Sequence, residues 1–363
     1  MRMLKPALTA IAVALMAAPA MAQVPRAPDG KPDLTGIWSN ASLTPLSRAQ
    51  GVKTLVVTQE EAQKIADKTA IAGVPADDPE FNRNARYSDP TKGAPEKGGD
   101  DFGLKGYDSF WVTPGTQLAH VKGEFRTSNI IDPPSGQLPF KDPAGQAKKA
   151  MVGFQRYMTG NAPYEGPEET AISERCLIGF GQTGGPGMLS VLYNNNYQFV
   201  QTPHHMMILV EMAHDVRAIP IFASADEARK GHRPDAIKPW LGDTVGWWEG
   251  DTFVMETINL NPLQAENQSF PLSEKGVVIE RLTRLGEKEI NYQFTVHDPD
   301  TYTQDWKAEL SFYPTTQLYE YACHEGNYGM HGILAGAREK ERQAAAVAVK
   351  AKPTKTKAVK GGE

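Results

Sequence analysis

The sequence predicts a mainly β protein in which an antiparallel meander closes into a barrel, with a β-sandwich as the alternative. Three observations carry this. From Gly187 onward apolar and polar residues alternate with period two: Ile290, Tyr292, Phe294 and Val296 against Asn291, Gln293, Thr295 and His297. Short turn sequences separate the runs, as at Glu249-Gly250-Asp251, Gly286-Glu287-Lys288 and Pro299-Asp300. Glycine (33) and proline (27) are used above average in 363 residues, which favours turns and strands over long helices. An open meander of this size would leave exposed edges, so the sheet is expected to close or to pack on a second one.

The elements follow in order. Residues 1–22 read as a signal peptide. Arg2 and Lys5 form its positive end, Ala7 to Ala18 its apolar core, and Ala20-Met21-Ala22 a small-x-small cleavage site. The apolar run is too short to span a bilayer, and no later segment qualifies as transmembrane. The expected location is the periplasm or the cell exterior. Residues 23–160 read as an irregular N-terminal extension that packs on the core. It holds a short strand at Leu34–Trp38, and a capping box, Thr58-Gln59-Glu60-Glu61, that opens a helix to about Thr69. A loop follows from Gly73 to Lys105, then an aromatic docking segment at Tyr107–Gly115, a strand at Phe125–Ile131, a turn at Asp132–Gly136 and a helix at Pro143–Tyr157.

Residues 161–337 are the expected barrel core. Its strands are placed at Tyr197–Thr202, His205–Ala213, Val216–Phe222, Thr252–Ile258, Val277–Leu285, Ile290–Val296, Tyr302–Phe312 and Gln317–Cys323. Residues 338–363 read as a helical and then disordered basic tail, with five lysines after Val349.

Charge and cysteine content narrow the function classes. Residues 23–337 carry 28 basic against 40 acidic side chains, and an acidic body argues against nucleic acid as a partner. The two cysteines, Cys176 and Cys323, most simply form a disulfide in an oxidising compartment. The alternative of two thiols serving a metal or a nucleophile lacks any CxxC or Cys/His spacing.

The candidate chemistry centres on Gly187 to Phe222, where His204, His205, Glu211, His214 and Asp215 stand among Met, Ile, Leu and Val. In a strand from His204 to His214 both faces are apolar, so it is expected to be buried on both sides or to line a cavity. His214 with Asp215, or His324 with Glu325, are the candidate catalytic acid–base pairs. The plainer reading makes Asp215 a turn residue paired with Arg217. Candidate ligand-binding residues are Asn196, His205, Glu211, Trp240, Trp248, Glu249, Glu256 and Tyr321. The tryptophans could serve as platforms for a flat or ring-shaped ligand, or simply plug the barrel. Glu256 lies on the same strand face as Val254 and needs a partner, for which Arg281 is the candidate. No HExxH, GxSxG, SxxK or P-loop occurs, and the glycine-rich run from Gly181 lacks the Lys and helix of a phosphate loop. Neither an organic cofactor nor a metal is implied by these patterns.

The motifs DLTGIW (33–38), RTSNIIDPPSG (126–136), ERCL (174–177), YNNNYQ (193–198), EMAHDVR (211–217), WLGD (240–243), WEGDT (248–252), ERLTR (280–284) and YEYACHEGNYGM (319–330) together resemble a family of exported Gram-negative bacterial proteins of unassigned function. The resemblance covers nearly all of the chain after the leader and implies export and a single domain. The stretch Asn261 to Gly276 and the lead-in to Trp240 depart from its pattern. The Gly36-Ile37-Trp38 opening also resembles the Gly-x-Trp start of lipocalin-like barrels, which implies a calycin-like barrel rather than a sandwich. Two functions are expected. One is a cofactor-independent lyase, isomerase or hydrolase acting on a small lipophilic, aromatic or sugar-like molecule. The other is a non-catalytic periplasmic carrier of such a molecule. An envelope protein whose basic tail touches an anionic surface is the third reading. Oligomeric state leaves no mark in the sequence.

Overall fold

The computed structural model describes residues 24–68, 114–159, 164–266 and 269–351. The leader, the Gly73–Lys105 loop, most of the Tyr107–Gly115 segment and the last twelve residues of the tail lie outside the described residues. Among the described residues thirteen strands form two sheets. The N-terminal part holds β1 (Gly36–Ser39), β2 (Val56–Val57), β3 (His120–Val121), β4 (Glu124–Arg126) and β5 (Ile130–Asp132). The core holds β6 (Asn196–Gln201), β7 (His205–Val210), β8 (Val216–Phe222), β9 (Asp243–Glu249), β10 (Thr252–Ile258), β11 (Val277–Arg284), β12 (Ile290–His297) and β13 (Trp306–Pro314). The helices are α1 (Gln59–Lys68), α2 (Pro143–Thr159), α3 (Ala225–Lys230), α4 (Pro262–Glu266) and α5 (Tyr328–Ala351).

β1 and β6 to β13 close a nine-stranded barrel, because β1 pairs with β6 on one side and with β13 on the other. A ring of nine strands cannot alternate direction throughout, so at least one neighbouring pair must be parallel. That pair is β8 and β9, with Ile221 opposite Gly246 and Phe222 opposite Trp247. The crossover between them carries α3 on the outer face, where Ala228 packs on Val245, Trp247 and Val254. The expected meander is therefore correct for every other barrel pair and interrupted once.

Alternation decides which side chains fill the barrel. Tyr197, Phe199, Met206, Ile208, Ile219, Phe253, Met255, Val278, Leu282, Tyr292, Phe294, Trp306 and Phe312 belong to one buried cluster. Their rings meet in a connected array: Tyr197 on Phe312 at 5.1 Å, Phe270 on Trp306 at 4.9 Å, and Phe294 on Phe270 at 5.6 Å. β7 is buried on one face only: Met206, Ile208 and Val210 point inward, whereas His205 and Met207 are exposed. This corrects the expectation of a strand buried on both sides. The chain also leaves the strand after Val210 and turns through a short 3-10 segment, Met212–His214.

Thr58 caps α1 as the sequence predicts, its hydroxyl accepting from Glu61 N–H while Glu61 accepts from Thr58 N–H. The expected strand Gln317–Cys323 does not form: residues 315–327 carry no strand or helix. The Phe125–Ile131 strand is split, β4 joining β2 and β3 in a small sheet and β5 pairing with β13.

Candidate functional site

Strand direction sorts the candidate residues. β6 starts, β7 ends, and β8 and β9 start at one end of the barrel, which gathers Asn196, Glu211, His214, Asp215 and Trp240. His205, at the start of β7, and Trp248 and Glu249, at the end of β9, lie at the opposite end.

The Asp215 end is sealed by the glycine-rich segment. Gly187 N–H donates to Glu280 at 3.2 Å and Met188 N–H to the Tyr292 hydroxyl at 2.8 Å, both inside the barrel. Close approach explains the composition. A Cβ on Gly185 would stand 2.7 Å from Arg217 Nη1, and one on Gly187 would stand 2.7 Å from Phe270 Cζ. Gly179, Gly181 and Gly184 have the G-x-G-x-x-G spacing, but they belong to this plug and not to a strand–helix turn. Behind the plug Arg217 and Glu280 form a buried ion pair, with the Tyr292 hydroxyl donating to Glu280 at 2.5 Å. Arg217 thus pairs with Glu280 and not with Asp215.

On the plug's outer side stand the acid–base candidates. Burial pushes the Asp215 carboxyl up to about 6, against the opposing pull of the Gly179 N–H and the His214 imidazole. Gly179 N–H reaches its Oδ2 at 2.8 Å. His214 is exposed and held at φ 47°, after Ala213 at φ 55°. Its Nδ1 lies 3.1 Å from the carbonyl oxygen of Tyr321. The His324 ring is 6.5 Å from the His214 ring, centroid to centroid. Residues 315–327 carry Tyr321 and His324 to this position as a strap. Its Tyr319 N–H donates to Glu211 at 3.1 Å, its Cys323 is bonded to Cys176, and Asn327 donates to the Glu174 carbonyl at 2.7 Å. Glu211 is buried, and its second oxygen accepts from Asn196 N–H at 3.2 Å. Glu211 therefore ties strap to barrel. Glu325 is exposed on the turn after His324, Tyr321 packs against the core, and Trp240 packs on Ile172, Ile178 and Leu241.

Glu256 lies on the outer face among groups the sequence did not connect. Its oxygens accept from Arg229 Nε at 3.0 Å and lie 3.5 Å from His232 Nε2, while His232 Nδ1 meets Asp243 at 2.8 Å. Arg281 instead pairs with Glu249, which also accepts from Trp247 Nε1 at 2.9 Å. His232 and Glu280 are the titratable residues missed, and Arg217 was given the wrong partner. For Glu280 a signal was present, since it alternates with Val278 and Leu282 on the apolar row of β11. His232 had none, because the crossover that brings it to β9 and β10 is not periodic. Among the described residues no three His, Cys, Asp or Glu side chains converge as a metal site would require, and no helix is long and apolar enough to cross a membrane. No family model matches the chain, and neither the curated proteins nor the solved structures contain a significant match to it.

Proposed function

We propose that the protein is an exported enzyme that needs no cofactor and performs acid–base chemistry of lyase, isomerase or hydrolase type. Its substrate is a small lipophilic, aromatic or sugar-like molecule, and the site is the rim between the 211–215 turn and the strap. The observation that carries the reading is the 3.1 Å approach of His214 Nδ1 to the Tyr321 carbonyl. A carbonyl oxygen only accepts, so Nδ1 holds the proton and Nε2 of the neutral ring presents a lone pair. An exposed imidazole with its tautomer set in this way is a general base. The proton it takes makes an imidazolium, which the Tyr321 carbonyl and the Asp215 charge stabilise. His324, across the gap, can return a proton to the other side of the substrate. Asp215, titrating at about 6, is a second acid in mildly acidic surroundings.

Support for export is the leader-like sequence and the Cys176–Cys323 bond, which suits an oxidising compartment. The carrier reading draws little from the barrel interior, which is filled by packed aromatic rings and a buried ion pair.

The test is proton abstraction itself. Panels of enolisable aromatic ketones, lactones and sugar acids are incubated with the protein in heavy water, and deuterium uptake and product formation are followed by NMR. Conversion by the wild type that falls about 10²–10⁴-fold in His214→Ala supports the reading. Conversion that persists unchanged in that variant removes His214 from the mechanism.

A further inference from the structure

We propose that the strap 315–327 is redox-latched: the Cys176–Cys323 bond holds it on the rim, and the strap so held sets the tautomer of His214. The consequence for activity rests on the acid–base reading above, but the latch itself does not.

The strap leaves the barrel at the end of β13 and has no place in either sheet. Thr315 N–H anchors its start to the Ile37 carbonyl at 2.9 Å; beyond that it is held by hydrogen bonds at Tyr319, Tyr321 and Asn327, by the packing of Tyr321 on the core, and by one covalent bond. Both functional groups it delivers lie beside that bond. Tyr321 is two residues before Cys323, and His324 is the next residue. Cys176 is three residues before Gly179, whose N–H donates to Asp215. The disulfide therefore joins the strap to the segment that also holds the carboxylate, and it closes a separation of 147 residues. Without it, isolated hydrogen bonds at a partly wet rim compete with water and hold an irregular segment weakly.

The chemistry is thiol–disulfide exchange with a dithiol. A thiolate of the dithiol attacks Cys323 Sγ, the less buried of the two sulfurs by residue exposure, and the Cys176 sulfur leaves as a thiolate that takes up a proton. The second thiol of the dithiol then displaces Cys323 as a thiol. The dithiol ends as a disulfide, and the protein has gained two electrons and two protons. The reverse exchange, with an oxidised dithiol carrier, closes the latch. A chain made in a reducing compartment accordingly carries an unset His214, and oxidation after export assembles the rim.

The experiment uses the full chain labelled with 15N at histidine, before and after dithiothreitol and after reoxidation, together with Cys323→Ser. Three readouts are followed: the 15N shifts of His214, cleavage of the strap at its tyrosines by chymotrypsin, and fluorescence of the six tryptophans, none of which lies in the strap. The expected result is that His214 moves from the Nδ1–H form to the mixed tautomer of a free imidazole. Strap cleavage rises at least about tenfold while the tryptophan signal stays native, and reoxidation restores the oxidised behaviour. Unchanged His214 shifts and cleavage on reduction overturn the latch. Loss of the native tryptophan signal together with the strap also overturns it, because the bond is then a staple of the whole barrel. None of these readouts needs a substrate, so a failure to find turnover leaves this result standing.

Discussion

Arg217 and Glu280 face each other inside the barrel with 2% and 0% of their side chains exposed, joined through both guanidinium Nη atoms. Burial alone would raise the Glu280 carboxyl, but the Arg217 charge and its hydrogen bonds hold it below the usual range. Removing one partner leaves the other charge buried without compensation. Arg217→Met and Glu280→Leu should each lower the unfolding free energy by about 3–5 kcal/mol. The double variant should lose much less than the sum. Urea unfolding of the four proteins in a double-mutant cycle checks this, and additive losses would contradict it.

Gly187 gives a second, sharper test of the plug. Its φ is +77°, and an added Cβ meets two phenylalanine rings. Gly123 has nearly the same φ, +82°, with open space around it. Gly123→Ala should cost only the left-handed backbone penalty, about 1–2 kcal/mol. Gly187→Ala should exceed it by a further ~1–3 kcal/mol from overpacking. Equal midpoints in urea for the two variants would show that the plug yields without strain.

β11 and β12 were legible because apolar and polar residues alternate along them, and β10, β11 and β12 start where the sequence places them, whereas β9 (Asp243–Glu249) was not expected as a strand. Closure parity was not legible. The direction of β9 depends on the total number of strands, which no local pattern carries. The strand expected at Gln317–Cys323 fails for a local reason: Tyr319 N–H is taken by the Glu211 carboxylate and Cys323 is bonded to Cys176, so no ladder partner is met. His214, Asp215 and His324 were singled out as titratable groups near turns, and topology does bring them to one rim. The Glu256–Arg281 pairing failed on register, since Val254, not Glu256, stands opposite Arg281.

His232 links the crossover to the barrel and should make stability depend on pH. Burial would lower its pKa, but hydrogen bonds to Glu256 and Asp243, and their charges, raise it above the ordinary value. The flanking guanidiniums of Arg229, bonded to Glu256, and Arg233, 3.6 Å from Asp243, oppose the proton without cancelling that gain. A raised folded-state pKa means that the contribution is complete below the unfolded value of about 6.5 and is lost as pH rises through the folded value. The wild type should therefore exceed His232→Gln most at pH 5.5–6, with the gap narrowing as pH rises above the unfolded value. A gap that widens with pH would rule out the charged bridge.

Asp215 should show the opposite dependence. Its carboxyl titrates at about 6 in the folded chain, above the ordinary value of 3.8, because burial disfavours the charge. The folded state then binds more protons than the unfolded state between these two values, so this group weakens the protein at neutral pH and the penalty fades as pH falls from about 6 towards 4. Asp215→Asn keeps an oxygen to accept from Gly179 N–H and removes the charge. It should raise stability at pH 8 by up to about 2–3 kcal/mol and leave it nearly unchanged at pH 4. Chemical unfolding at the two pH values measures this. If Asp215→Asn instead destabilises the protein at pH 8, the carboxylate is held by stronger partners than the single Gly179 bond. It would then be ionised throughout and unable to serve as an acid at the rim.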